Sequence, residues 1–219
     1  MEINSFCDRI LFNYHRIEVK TRPFLARFRR KKLNNTDFTI ISNNCWGGIC
    51  YEYYGLQKLS PTVGMYFYAE DYVKFISKLS YYVGLEMQMI TPNESKHRSS
   101  LYSKGETNVP VGVLDDIEVV FLHYLNPDIA KAKWRKRVKR INWDNIIYKF
   151  SYMNECNDQN IEDFLRITNG EKRICFVGKK KWGDYGVYEV PANSEHQVVD
   201  DTTWFNKYVD VESVINEKF

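Results

Sequence analysis

A chain of 219 residues, 44% hydrophobic and 27% charged, has the length and balance of one globular core, which excludes disordered, collagen-like and coiled-coil classes. A net charge of +3 is too small for wholesale wrapping of nucleic acid, so no nucleic-acid partner is expected. Aromatic residues make up 16%, with 16 Tyr and 13 Phe, and such residues both fill cores and offer flat apolar faces with polar edges.

From about Asn4 to Leu33, Phe6, Ile10, Leu11, Tyr14 and Ile17 alternate with basic residues at helical spacing, which predicts an amphipathic basic extension over residues 1–36. Phe24, Leu25 and Phe28 beside Arg22, Arg27, Arg29 and Arg30 would suit a peripheral contact with a membrane face. Met1 to Lys20 lacks the apolar run of a secretory signal, and no stretch approaches the roughly 18 apolar residues of a membrane span. Cys7, Cys45, Cys50, Cys156 and Cys175 form no CxxC pair and no Cys/His tetrad. Neither a disulfide framework nor a metal site is therefore expected, and a cytoplasmic location fits.

Residues 37–219 read as one α/β domain. Phe38 to Ser42 is a buried strand, the Asn43-Asn44-Cys45-Trp46-Gly47-Gly48 turn follows, and Ile49 to Gln57 predicts a helix stopped by Gly55. Ser60-Pro61-Thr62 is expected to be extended, Ala69 to Val83 to be one helix, and Pro92 to Val109, with His97, to be a mobile surface loop. Ile117 to Tyr124 reads as a second central strand, capped by Asn126-Pro127 before a helix with Ala130, Trp134, Val138 and Ile141 on one face. Ile146 to Phe150, Arg173 to Gly178 and Val187 to Val190 read as strands, with helices near Ile161 to Ile167 and Val211 to Glu217. The alternation predicts a three-layer α/β/α sandwich with a mostly parallel or mixed sheet.

In such sheets ligands bind at the carboxyl ends of strands, which places the working site at the Asn43 to Gly48 turn. Cys45 there is the candidate nucleophile, Gly47 and Gly48 would let backbone N–H groups approach a ligand, and His123, at the end of a strand, is the candidate base. Asn43, Asn44 and Trp46 would complete the turn's contribution to substrate binding. The basic run Lys131 to Arg140, with Arg137, would attract phosphate, while Asn142, Asp144, Asn145 and Trp182 would bind sugar hydroxyls or rings. Each has a plainer reading as a packing or turn residue. No Walker A loop or Rossmann glycine fingerprint occurs, so no cofactor is named.

Phe38 to Gly48 with Tyr54-Gly55-Leu56-Gln57 and Ser60-Pro61-Thr62-Val63-Gly64 resembles the opening signature of a bacterial family, the domain of unknown function 1919. Phe121-Leu122-His123-Tyr124, Lys133-Trp134-Arg135-Lys136-Arg137 and Arg140 to Asn145 resemble its second signature. Members carry labels for exopolysaccharide biosynthesis. The resemblance implies a three-layer α/β fold and a role in making capsule or exopolysaccharide, without bringing catalytic residues. The expected activity is acyl transfer to a sugar by a glycan-modifying transferase, whose partners would be a carbohydrate and an activated sugar or acyl donor. The alternatives are a non-catalytic sugar-binding or docking partner of a glycosyltransferase complex and a sugar-nucleotide glycosyltransferase, for which Asp115-Asp116 is a faint metal motif.

Overall fold

Ile146 to Ser151 (β5) runs Ile-Ile-Tyr-Lys-Phe-Ser, and its alternate side chains enter two different cores: Ile146 and Phe150 one, Ile147 the other. That two-sided burial is what a strand covered by helices on both faces requires. In the computed structural model, which describes residues 24–124, 126–179, 181–202 and 206–217, β5 is flanked by parallel neighbours Thr39–Ser42 (β1) and Lys172–Val177 (β6). Val187–Glu189 (β7) pairs parallel with β6, giving the order β1-β5-β6-β7. One face carries Trp46–Tyr54 (α1) and Val211–Asn216 (α7). The other carries Ala69–Ser77 (α2), Leu79–Gly84 (α3), Pro127–Val138 (α5) and Asp158–Ile167 (α6). This is a three-layer α/β fold. Part of the expected amino-terminal extension, residues 1–23, lies outside the described residues.

A second, antiparallel sheet departs from expectation. Gln88–Ile90 (β2), Val111–Leu114 (β3) and Ile117–Val120 (β4) form it in sequence order. The segment expected to be a central strand parallel to β1 is thus the second arm of a hairpin, and it ends at Val120. Asp115 and Asp116 close that hairpin, with Asp115 at φ 57°, the left-handed region that tight hairpin turns use. All four β4 residues are buried, so the segment reads like an interior parallel strand although it pairs antiparallel.

Three local expectations are corrected. Ala69 to Val83 is two helices, broken at Lys78, whose φ of −138° leaves the helical region. Residues 61–64 form a turn, in which Thr62 N–H donates to Ser60 Oγ at 3.1 Å and Gly64 takes φ 80°. The 92–109 segment contains helix Arg98–Ser103 (α4) and is anchored. Buried Asp71 accepts from Lys96 Nζ at 2.5 Å and from Glu118 N–H at 3.2 Å, and its Oδ2 lies 2.8 Å from His97 Nε2. The His97 ring stacks on Tyr68 with centroids 3.7 Å apart.

Candidate functional site

At the carboxyl end of β1 the chain enters α1 through Asn43, Asn44 and Cys45. Asn43 is fully buried: its Nδ2 donates to the Ser151 carbonyl and its Oδ1 accepts from Ser151 N–H, both at 3.1 Å. It therefore ties β1 to β5 and faces no ligand. Gly47 and Gly48 lie inside the first turn of α1. A Cβ on Gly47 would stand 3.0 Å from Ile40 Cγ2, and one on Gly48 3.0 Å from Val63 Cγ1. The glycines allow α1 to pack closely on β1 and on the 61–64 turn. Trp46 is buried edge-on against Phe176 in the core.

Asn44 belongs to a buried polar cluster that the sequence did not point to. Lys149 and Ser151 project from the same face of β5, as residues two apart in a strand must, and meet Asp201 from the carboxy-terminal segment. Lys149 Nζ donates to Asn44 Oδ1 at 2.8 Å, to Ser151 Oγ at 2.6 Å and to Asp201 Oδ2. Asn44 Nδ2 donates to both Asp201 oxygens, at 3.0 and 2.9 Å, and Ser151 Oγ donates to Oδ2. Burial pulls the Lys149 ammonium below the ordinary lysine range, with the Asp201 carboxylate opposing. A lysine in an otherwise apolar strand, followed two residues later by serine, was the available signal.

Cys45, half-buried beside this cluster, lines two cavities of about 360 and 420 Å3 that share it and His123 in their walls. His123 reaches this junction because its N–H donates to the Gly64 carbonyl at 3.2 Å, pinning the residues after β4 to the 61–64 turn. The exposed imidazole carries no hydrogen bond or ion pair among the described residues. The Cys45 thiol is pushed up to about 11, first by burial and then by the Asp201 carboxylate, with Lys149 opposing. At neutral pH burial therefore keeps it a thiol.

The smaller cavity is cationic. Lys58, Lys133 and Arg137 line it with Glu52, and Glu52 is paired to Lys58 at 2.5 Å, leaving Lys133 and Arg137 as excess positive charge. Arg137 is oriented by donating to the Val63 carbonyl at 2.6 Å and to the Tyr124 hydroxyl at 2.5 Å. The larger cavity mixes Tyr66, Leu122, Met153 and Val199 with Asn154, Asp201 and Thr202. Its Tyr66 donates to Glu106, and Lys104 Nζ lies 4.9 Å over the Tyr66 ring.

The remaining sequence candidates are elsewhere. Asn142, Asp144 and Asn145 precede β5 and line a groove at the opposite end of the sheet. Trp182 packs partly buried against the core beside α6, outside both cavities. Asp115 and Asp116 are held by the Tyr81 and Tyr82 hydroxyls, at 2.9 and 2.7 Å, and line neither cavity. Among the described residues no helix is long and apolar enough to cross a membrane.

A Haemophilus influenzae protein described only as uncharacterized is 25% identical over 158 residues, covering 72% of this chain and 70% of its own length. The family model for the domain of unknown function DUF1919 matches residues 16–217, so the chain belongs to that family.

Proposed function

We propose that the chain is a transferase that moves an acyl group from a phosphate-bearing thioester donor to a hydroxyl of a glycan acceptor. The observation that carries this reading is the pair of unlike cavities sharing Cys45 and His123, one with excess cationic charge and one that sets apolar side chains beside the Glu106, Asp200 and Asp201 carboxylates and Lys104. Lys133 and Arg137 would hold donor phosphate, Arg as a planar fork and Lys as a point charge. The acceptor would lie against Tyr66, Leu122 and Met153. His123 takes the proton of the acceptor hydroxyl as its oxygen attacks the thioester carbonyl; the C–O bond forms, the C–S bond breaks, and the thiol leaves with the proton. Direct transfer is favoured over an acyl-Cys45 intermediate because the thiol is protonated at neutral pH.

The test is turnover with short-chain acyl-CoA donors and oligosaccharide acceptors. His123→Ala should lower kcat by roughly 10²–10⁴-fold, Arg137→Ala should chiefly raise the donor KM, and Cys45→Ser should retain activity. Absence of acyl transfer, or full activity in His123→Ala, would overturn the reading. A docking role beside a membrane or glycosyltransferase complex is favoured by a different observation. Phe24 and Phe28 are 82% and 65% exposed on the helical residues 24–30, which also carry Arg27 and Arg30. Basic amphipathic helices of this kind lie in lipid interfaces, and co-sedimentation with anionic vesicles, lost in Phe24→Ser/Phe28→Ser, separates the two roles.

A further inference from the structure

At the amino ends of β1, β5 and β6, opposite the transfer cleft, lies a groove of about 640 Å3 whose walls include Asn34, Asn35, Trp143, Asp144, Glu171 and Lys172. The six residues of β5 separate it from the Cys45 end by roughly 20 Å at the usual strand rise. Trp143 is 50% exposed there, on a loop whose flanking residues Asn142, Asp144 and Asn145 are held by hydrogen bonds. Asn142 Nδ2 and Asn145 Nδ2 both donate to the Asp37 carbonyl at 3.0 Å, Asn142 N–H donates to Thr39 Oγ1 at 2.8 Å, and Asp144 N–H donates to Asn142 Oδ1 at 3.1 Å. The facing wall is fixed as well: Lys172 Nζ donates to Asn145 Oδ1 and to the Ile215 carbonyl, each at 3.1 Å, and Asn216 Oδ1 accepts from Asn34 N–H at 2.7 Å.

An indole held half out of water on a braced loop is a pre-formed aromatic platform. Around it, the Asp144 and Glu171 carboxylates carry no hydrogen bond or ion pair among the described residues, so their oxygens are open to hydroxyl donors. The one lysine among the described residues of its walls, Lys172, is turned inward onto a carbonyl and an amide. Among the described residues the groove thus presents carboxylates without a cation directed outward, which repels phosphate, uronate and nucleotide ligands. The flat C–H face of a pyranose on the indole, with its hydroxyls donating to the flanking carboxylates and amides, matches every one of these groups.

We propose that this groove is a second carbohydrate site, which holds a neutral, hydroxyl-rich oligosaccharide on Trp143 at a distance from the transfer cleft. It rests on none of the residues assigned to transfer. The experiment is calorimetric titration of the full chain with short glucose, galactose and N-acetylglucosamine oligomers, followed in parallel by tryptophan fluorescence, with hyaluronate fragments and ATP as anionic probes. At least one neutral oligomer should bind, with Kd raised about tenfold or more in Trp143→Ala, weakened in Asp144→Ala, and largely retained in Trp143→Phe. His123→Ala and Arg137→Ala should leave this binding unchanged, and the anionic probes should not compete at Trp143. The proposal is overturned if no neutral oligomer binds, if binding survives Trp143→Ala, if it is lost instead in the cleft variants, or if an anionic probe occupies the groove in preference.

Discussion

Lys149 is fully enclosed, and a buried ammonium is tolerated only while its partners stay in place. Removing Asp201 would leave the charge facing Ser151 and Asn44, which offer dipoles alone. Asp201→Ala should therefore destabilise the fold by about 3–5 kcal/mol, whereas Lys149→Met combined with Asp201→Ala should cost clearly less than the sum of the single changes. A urea double-mutant cycle measures both. The cluster was hidden in the sequence because Lys149 sits in a strand that otherwise reads as apolar, and its counter-charge lies 52 residues further on in a polar segment. The turn at Asn43 to Cys45 was legible as a strand terminus, but the chemistry of Cys45 was not. Its position suggested activation, while its pKa is set by burial that no local pattern reveals. Alkylation of Cys45 should consequently rise with pH through about 11; a midpoint below the ordinary thiol value would refute that environment. The sign for stability follows. The unfolded chain ionises this thiol first, so Cys45 makes the fold less stable as pH rises from 9.0 towards about 11.

Elements with their own start signals were the readable ones. Helix α5 begins at Pro127 with Asn126 Oδ1 accepting from the N–H groups of Asp128 and Ile129 at 2.8 and 3.2 Å, the cap that Asn126-Pro127-Asp128 announces. In α6 the cap is reciprocal: Asn157 Oδ1 accepts from Asn160 N–H at 3.0 Å and Asn160 Oδ1 from Asn157 N–H at 3.1 Å. Asn157→Ala removes one side of that exchange and should lower stability by about 1 kcal/mol, read as a shift of the urea midpoint at constant slope. Elements fixed by distant partners were not readable. Residues 92–109 look like loop because their polar residues answer groups elsewhere: Lys96 and His97 meet Asp71, and Ser95 Oγ donates to Glu118. Antiparallel pairing of β4 was missed for a similar reason, since full burial erases the alternation that distinguishes the two kinds of strand.

On the scale of the whole molecule, the parallel sheet gives the fold two chemically different ends. Its carboxyl end gathers residues from α1, the 61–64 turn, the segment after β4, α5 and the carboxy-terminal segment around Cys45 and His123. The amino end gathers the 34–37, 142–145 and 215–217 segments around Trp143. The layer order and the strands of the main sheet could be read from alternation alone, but which loops converge at which end depends on strand order, and β1 skips to β5 as its neighbour.

That skip, together with the late arrival of Asp201, has a consequence for synthesis on the ribosome. A nascent chain that has released β5 and β6 still lacks the carboxylate that neutralises Lys149, so the middle of its sheet carries a stranded ammonium. Domain-scale folding should then wait until Asp201 has emerged. Stalled chains ending before residue 201 should stay protease-sensitive, and chains extended past it on a linker should become resistant in one step.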